Sequence, residues 1–139
     1  MNAILLIAHA PLASALRAGA LHVFPDAAVA ALDVGAADAP EATLASAQAA
    51  LRGLPAGQGV LVLADMVGAT PCNVARRLAG GEAMRLLAGA NLPMLLRALS
   101  YRGEPLEVMM RKALDGGVQG IVPVAAWPCG GDDGGKAAA

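Results

Sequence analysis

Short apolar runs alternating with amphipathic, alanine-rich stretches restrict this chain to few architectures. Apolar runs at residues 3–8, 29–34, 59–64, 84–88 and 120–124 read as strands, and helical patterns cover 12–23, 41–51, 71–78, 92–101 and 106–116. Strands separated by helices of this length predict βαβ units. The expected fold is therefore α/β, a three-layer sandwich with a mainly parallel central sheet flanked by helices. The first run, Ile4-Leu5-Leu6-Ile7, lacks polar alternation, as a strand buried on both faces should. Gly19, Gly53, Gly80-Gly81 and Gly116-Gly117 read as breakers near helix ends. Pro123 inside the last run cannot donate to a ladder, which places that strand at an edge or against another chain.

With 139 residues, one domain is expected over residues 1–126. Residues 127–139, glycine-rich with nothing to bury, are expected to form a mobile tail. Mean hydropathy is positive at +0.57, yet the longest uncharged stretches, 1–16 and 116–131, hold 16 residues and contain proline. A spanning helix needs about 20 apolar residues. No basic segment precedes the first run, so no signal peptide is expected and the chain reads as cytoplasmic. Ten basic and eleven acidic residues are interspersed, and Phe24, Tyr101 and Trp127 are scattered, which argues against a nucleic-acid binder. Cys72 and Cys129 form no CxxC and read as free thiols.

His9 and Asp65 carry the chemical signal. Each follows an apolar run, so two parallel strands would bring an imidazole and a carboxylate to one carboxyl edge, where open α/β sheets place their ligands. Taken alone, a histidine in this position reads first as a capped or hydrogen-bonded structural residue, and Asp65 at the matching strand end shifts the reading toward function. A carboxylate accepting the Nδ1 proton leaves the Nε2 lone pair outward, suited to a nucleophile, a base or a metal ligand. No second histidine or carboxylate cluster near His9 in the sequence points to a metal, and no cofactor is implied.

The following segment, Gly68-Ala69-Thr70-Pro71-Cys72-Asn73, reads as a helix start, with Thr70 as N-cap and Pro71 in the first turn. A glycine-containing loop feeding a helix N-terminus also suits an anion. It is not a P-loop, because the chain contains no GxxxxGK[ST]. Asn91, after the fourth run, reads as another N-cap, with Pro93 behind it, on the same edge as His9. His22, late in the first helix, reads as a residue favoured by the helix dipole rather than a catalytic one.

Three blocks in order, Ile7-Ala8-His9, Asp65 to Asn73 and Ala88 to Leu95, resemble the mannose-type enzyme IIA domain of the bacterial phosphoenolpyruvate-dependent sugar phosphotransferase system. The resemblance runs through roughly residues 1–124, with Val67 where an aromatic residue is often found. It implies that His9 accepts a phosphoryl group from the carrier protein HPr and that Asp65 orients the imidazole. Gly68, Thr70, Pro71, Asn73 and Asn91 would line the phosphoryl site. It further implies onward transfer to a IIB component, a homodimer made by exchange of a C-terminal strand, and only indirect contact with the membrane through a transporter. Two alternatives stay open. One is a regulator whose His9 phosphorylation gates binding to a target protein. The other is a flavodoxin-like domain holding a small anion, which leaves the pairing of His9 with Asp65 unexplained.

Overall fold

A computed structural model of the chain describes residues 1–78 and 81–126. The most uniformly apolar run forms β1 (Ala3–His9), and Ile4, Leu5, Leu6 and Ile7 are each at most 1% exposed. Burying each such side chain is worth roughly 1.5–3 kcal/mol, which draws this strand to the middle of the sheet. β2 (Val29–Val34) lies on one side of it and β3 (Val60–Ala64) on the other, and β4 (Met84–Ala88) follows β3. All pairings are parallel and the order is β2-β1-β3-β4.

The helices divide between the faces by strand parity. Ile4, Leu6, Leu61 and Leu63 pack against α1 (Leu12–Val23), α4 (Leu92–Ser100) and α5 (Leu106–Gln119). Leu5, Ile7, Val62 and Ala64 face α2 (Pro40–Arg52) and α3 (Thr70–Leu78). The expected three-layer α/β arrangement is therefore present. After β1 the chain turns to one side through α1 into β2, whereas after β3 it turns to the other through α3 into β4. These opposite exits open a crevice between the carboxyl ends of β1 and β3, the switch point of such a sheet. No helix among the described residues is long and apolar enough to cross a membrane.

Two expectations need correction. Residues 120–124 are not a strand: Gly120 caps α5, and a short 3-10 turn, Val124–Ala126, ends the described chain. Ile121 and Val124 are 79% and 58% exposed. Within one chain this segment meets no strand edge, and Pro123 lacks the N–H a ladder needs. The expected tail, with Trp127 and Cys129, lies outside the described residues.

The second correction concerns Gly116-Gly117, which does not end α5; the helix continues to Gln119. These glycines serve a close approach of helices instead. A Cβ at Gly116 would stand 2.5 Å from Arg97 Cβ, and one at Gly120 would stand 2.5 Å from Pro93 Cβ. In an open helix Gly→Ala gains about 1 kcal/mol. Here the clash with the first carbon of a side chain reverses the sign. Gly116→Ala is expected to lower stability by about 1–3 kcal/mol in urea unfolding. Gly103→Ala, at a position with open space around it, should stay within about 0.5 kcal/mol of the parent. A stabilised Gly116→Ala variant would contradict this packing.

Candidate functional site

His9 is the last residue of β1, and Asp65 follows the last residue of β3, so register alone brings them to neighbouring strand ends. The contact is close. His9 Nδ1 lies 2.6 Å from Asp65 Oδ2, and the His9 peptide N–H donates to the same oxygen at 2.9 Å. Asp65 Oδ1 accepts the Met66 N–H at 2.9 Å. An ionised carboxylate only accepts, so Nδ1 carries the ring proton and Nε2 keeps its lone pair. The His9 side chain is 50% exposed and that of Asp65 only 10%, which leaves the ring reachable while its partner is held in the sheet edge.

Burial by itself would raise the Asp65 pKa. The hydrogen bonds from the His9 peptide, the His9 ring and the Met66 peptide, with the charge of a protonated ring, outweigh it and hold the carboxyl below its ordinary value. The folded protein therefore takes up this proton later on acidification than the unfolded chain does. The stability contributed by Asp65 is complete above the usual carboxylate range, about pH 4, and is lost as the pH falls through the lower folded value. Below that range, the gap in unfolding free energy between wild type and Asp65→Asn should narrow as the pH falls. A gap that widens on acidification would reverse the sign.

Asp65 is itself braced from β4. Gly89 N–H donates to the Asp65 carbonyl and Ala90 N–H to the Ala64 carbonyl, each at 3.0 Å. Gly89 has φ +88°, a conformation that places its N–H here and that L-residues rarely adopt. Nothing in the sequence reading pointed to this brace.

The loop from β3 to α3 lies beside the pair. Gly68 has φ +89°, the left-handed geometry that turns the chain toward the helix. The first helical hydrogen bond of α3 runs from Asn73 N–H to the Ala69 carbonyl at 3.0 Å. Ala69 therefore occupies the cap position expected of Thr70, and Thr70 is the first residue of α3. Pro71 and Cys72 are buried, Thr70 is half-buried, and Asn73 is exposed. The opening N–H groups of a helix have no intrahelical acceptor, and they carry its positive end.

Asn91 sits on the same edge, but its amide is engaged elsewhere. Its Oδ1 caps α4 by accepting Met94 N–H at 2.9 Å, and its Nδ2 donates to the Gly117 carbonyl at 3.2 Å. It follows β4, two strand spacings from β1, or roughly 10 Å. His22 is exposed in the last turn of α1, at the opposite edge of the sheet. Among the described residues no group of three His, Cys, Asp or Glu side chains converges as metal ligands would.

One feature of this edge escaped the sequence reading. Asp33, the only charged residue of β2, accepts the Ser14 N–H at 3.0 Å and the Ser14 hydroxyl in a short contact. A carboxylate inside an otherwise apolar strand was the available signal. Leu12, Met66 and Val67, exposed by 38%, 57% and 76%, make the surroundings of His9 an open apolar surface.

Comparison with known proteins identifies the family and similar folds. The sequence matches the EIIA-man family, described as the PTS system fructose IIA component, over residues 3–112. The fold is similar to the phosphotransferase system component EIIA from Streptococcus agalactiae, with TM-score 0.79 and 23% identity over 90% of this chain and 98% of that one. It is also similar to the mannose/sorbose specific IIA subunit from Enterococcus faecalis, with TM-score 0.75 and 29% identity over 88% of this chain and 93% of that one. A third similar structure is the PTS IIA protein associated with the fucose utilization operon from Streptococcus pneumoniae, with TM-score 0.70 and 22% identity over 89% and 93% of the two chains. Comparison with curated proteins gives no sequence match.

Proposed function

The chain belongs to the EIIA-man family and is a phosphoryl-transfer component of the sugar phosphotransferase system, and from that premise we propose that His9 is the residue that carries the phosphoryl group. The donor is phospho-HPr and the acceptor a IIB component, in the cytoplasm. One observation carries this reading: the 2.6 Å contact between His9 Nδ1 and an ionised Asp65 whose side chain is only 10% exposed, on a ring that is half exposed.

The chemistry follows from that contact. The Nε2 lone pair attacks phosphorus in line as the bond to the donor's histidine nitrogen breaks, and the donor ring recovers the electron pair. His9 then holds a phosphoryl group on Nε2 and a proton on Nδ1, and its ring is positively charged. The Asp65 carboxylate balances that charge without moving. Catalysis is then mainly positioning and charge stabilisation. Bonds of the same kind are made and broken, so the transfer runs in either direction.

Two helix N-termini flank His9, and they are not equivalent. The Ser14 N–H of α1 is already taken by Asp33, a carboxylate that also repels anions. Among the described residues no carboxylate is bonded to the opening N–H groups of α3, so the phosphoryl oxygens are assigned to it. Gly68 shapes the approach, Thr70 offers a hydroxyl, Pro71 presets the first turn and Asn73 borders the site. Asn91 is assigned to bracing the neighbouring loop, since its amide is already bonded. The open apolar rim of Leu12, Met66 and Val67 suits docking of a folded phosphoprotein better than enclosure of a nucleotide.

A homodimer completes this reading. The apolar segment around Ile121, Val122 and Val124 is exposed, and among the described residues β4 ends the sheet with an unpaired edge. Exchange of the segment onto β4 of a second copy would cover both. A chain that sediments as a monomer at all concentrations would remove the dimer.

Incubation with phosphoenolpyruvate, enzyme I and HPr tests the main proposal. Intact mass should show one acid-labile phosphoryl group per chain. A chain that gains none under conditions where HPr is phosphorylated would sink it.

A further inference from the structure

Asp33 stands on β2 beside the end of β1 that carries His9. It is in register with Ala8, the residue before His9, and the Ala10 N–H donates to the carbonyl of Val34 at 2.9 Å. The chain then turns through Pro11 into α1, whose cap position supplies no side-chain acceptor. Asp33 provides that acceptor from the neighbouring strand, binding both the N–H and the hydroxyl of Ser14. The segment from His9 to Ser14 is thus fastened to β2 at two points, while Asp65 fastens the ring from β3.

We propose that Asp33 is a positioning residue for transfer at His9. It acts in two ways through one carboxylate. It fixes the turn that sets the direction of the ring, and it fills the N-terminus of α1 so that a phosphoryl group is directed to α3 alone. Asp33 does not touch the reacting atoms. This inference rests on the assignment of His9 as the phosphoryl carrier.

Steady-state transfer from phospho-HPr to wild type, Asp33→Ala, Asp33→Asn and Ser14→Ala tests it, with thermal unfolding measured on each. A misplacement near 1 Å can cost on the order of 100-fold in rate. For Asp33→Ala at a temperature where it is folded, kcat should fall about 10- to 100-fold while KM for phospho-HPr stays within about twofold. Asp33→Asn keeps an acceptor for Ser14 and should recover most of that loss, with Ser14→Ala between the two. Inorganic phosphate titrated into Asp33→Ala should shift the amide resonances of residues 12–14, which it should leave unmoved in wild type. A purely structural role would not create that response. An Asp33→Ala variant that transfers at the wild-type rate, loses only KM, or shows no phosphate response at α1 overturns the proposal. If wild type itself takes no phosphate at His9, the assignment of the carrier fails instead.

Discussion

Replacing His9 with alanine abolishes acid-labile phosphorylation of the chain, rather than merely slowing it. The reason is that the described edge offers no second group with the same combination. His22 lies at the opposite edge, on the last turn of α1, with no carboxylate partner among the described residues. Cys72 is 3% exposed and packs into the α2/α3 face, so its thiol does not reach the surface beside His9. Ser14 is held by Asp33. The expected readout is intact mass after incubation with phosphoenolpyruvate, enzyme I and HPr: one phosphoryl group on wild type and none on His9→Ala. The variant should keep the fold, because the side chain is half exposed and the core beneath β1 is untouched. An unfolding midpoint near that of wild type would complete the control. Phosphate persisting on His9→Ala would locate the carrier elsewhere.

The second large effect is at Asp65. The amide of Asp65→Asn is nearly the same size but can donate as well as accept. It no longer requires the ring proton to sit on Nδ1, and it cannot balance the positive ring that forms on phosphorylation. Transfer from phospho-HPr should fall by about 10²–10⁴-fold, with most of the loss in the chemical step. Rapid-quench measurements at saturating phospho-HPr would separate chemistry from docking. A rate within about threefold of wild type would show that the carboxylate is only structural.

Both predictions rest on a pair that is legible in the sequence itself. The run Ile4-Leu5-Leu6-Ile7 has no polar alternation because both of its faces are covered, and the same holds for Leu61-Val62-Leu63. Such strands must be central and parallel, and their first polar followers then share an edge. What stayed hidden depended on contacts between distant parts of the chain. Gly116-Gly117 looks like a helix stop until α4 is known to press against it. Asp33 looks like an odd residue in a strand until α1 is seen to start beside it. Asn91 reads correctly as a cap, but its bond to Gly117, 26 residues away, has no local signature. Thr70 has good capping chemistry, yet the helix begins one residue earlier in the loop, with Ala69 supplying the first acceptor. Residues 120–124 have strand composition and no strand partner within the described chain.

The central claim is that the outward nitrogen of His9, and not the one bound to Asp65, becomes bonded to phosphorus. Uniformly 15N-labelled protein, phosphorylated through enzyme I and HPr, can be followed by long-range 1H–15N correlation of the imidazole. The account predicts a phosphorylated Nε2 on His9, with Nδ1 still protonated and bonded to Asp65. Phosphorus on Nδ1 of His9, or on any other residue, would contradict it.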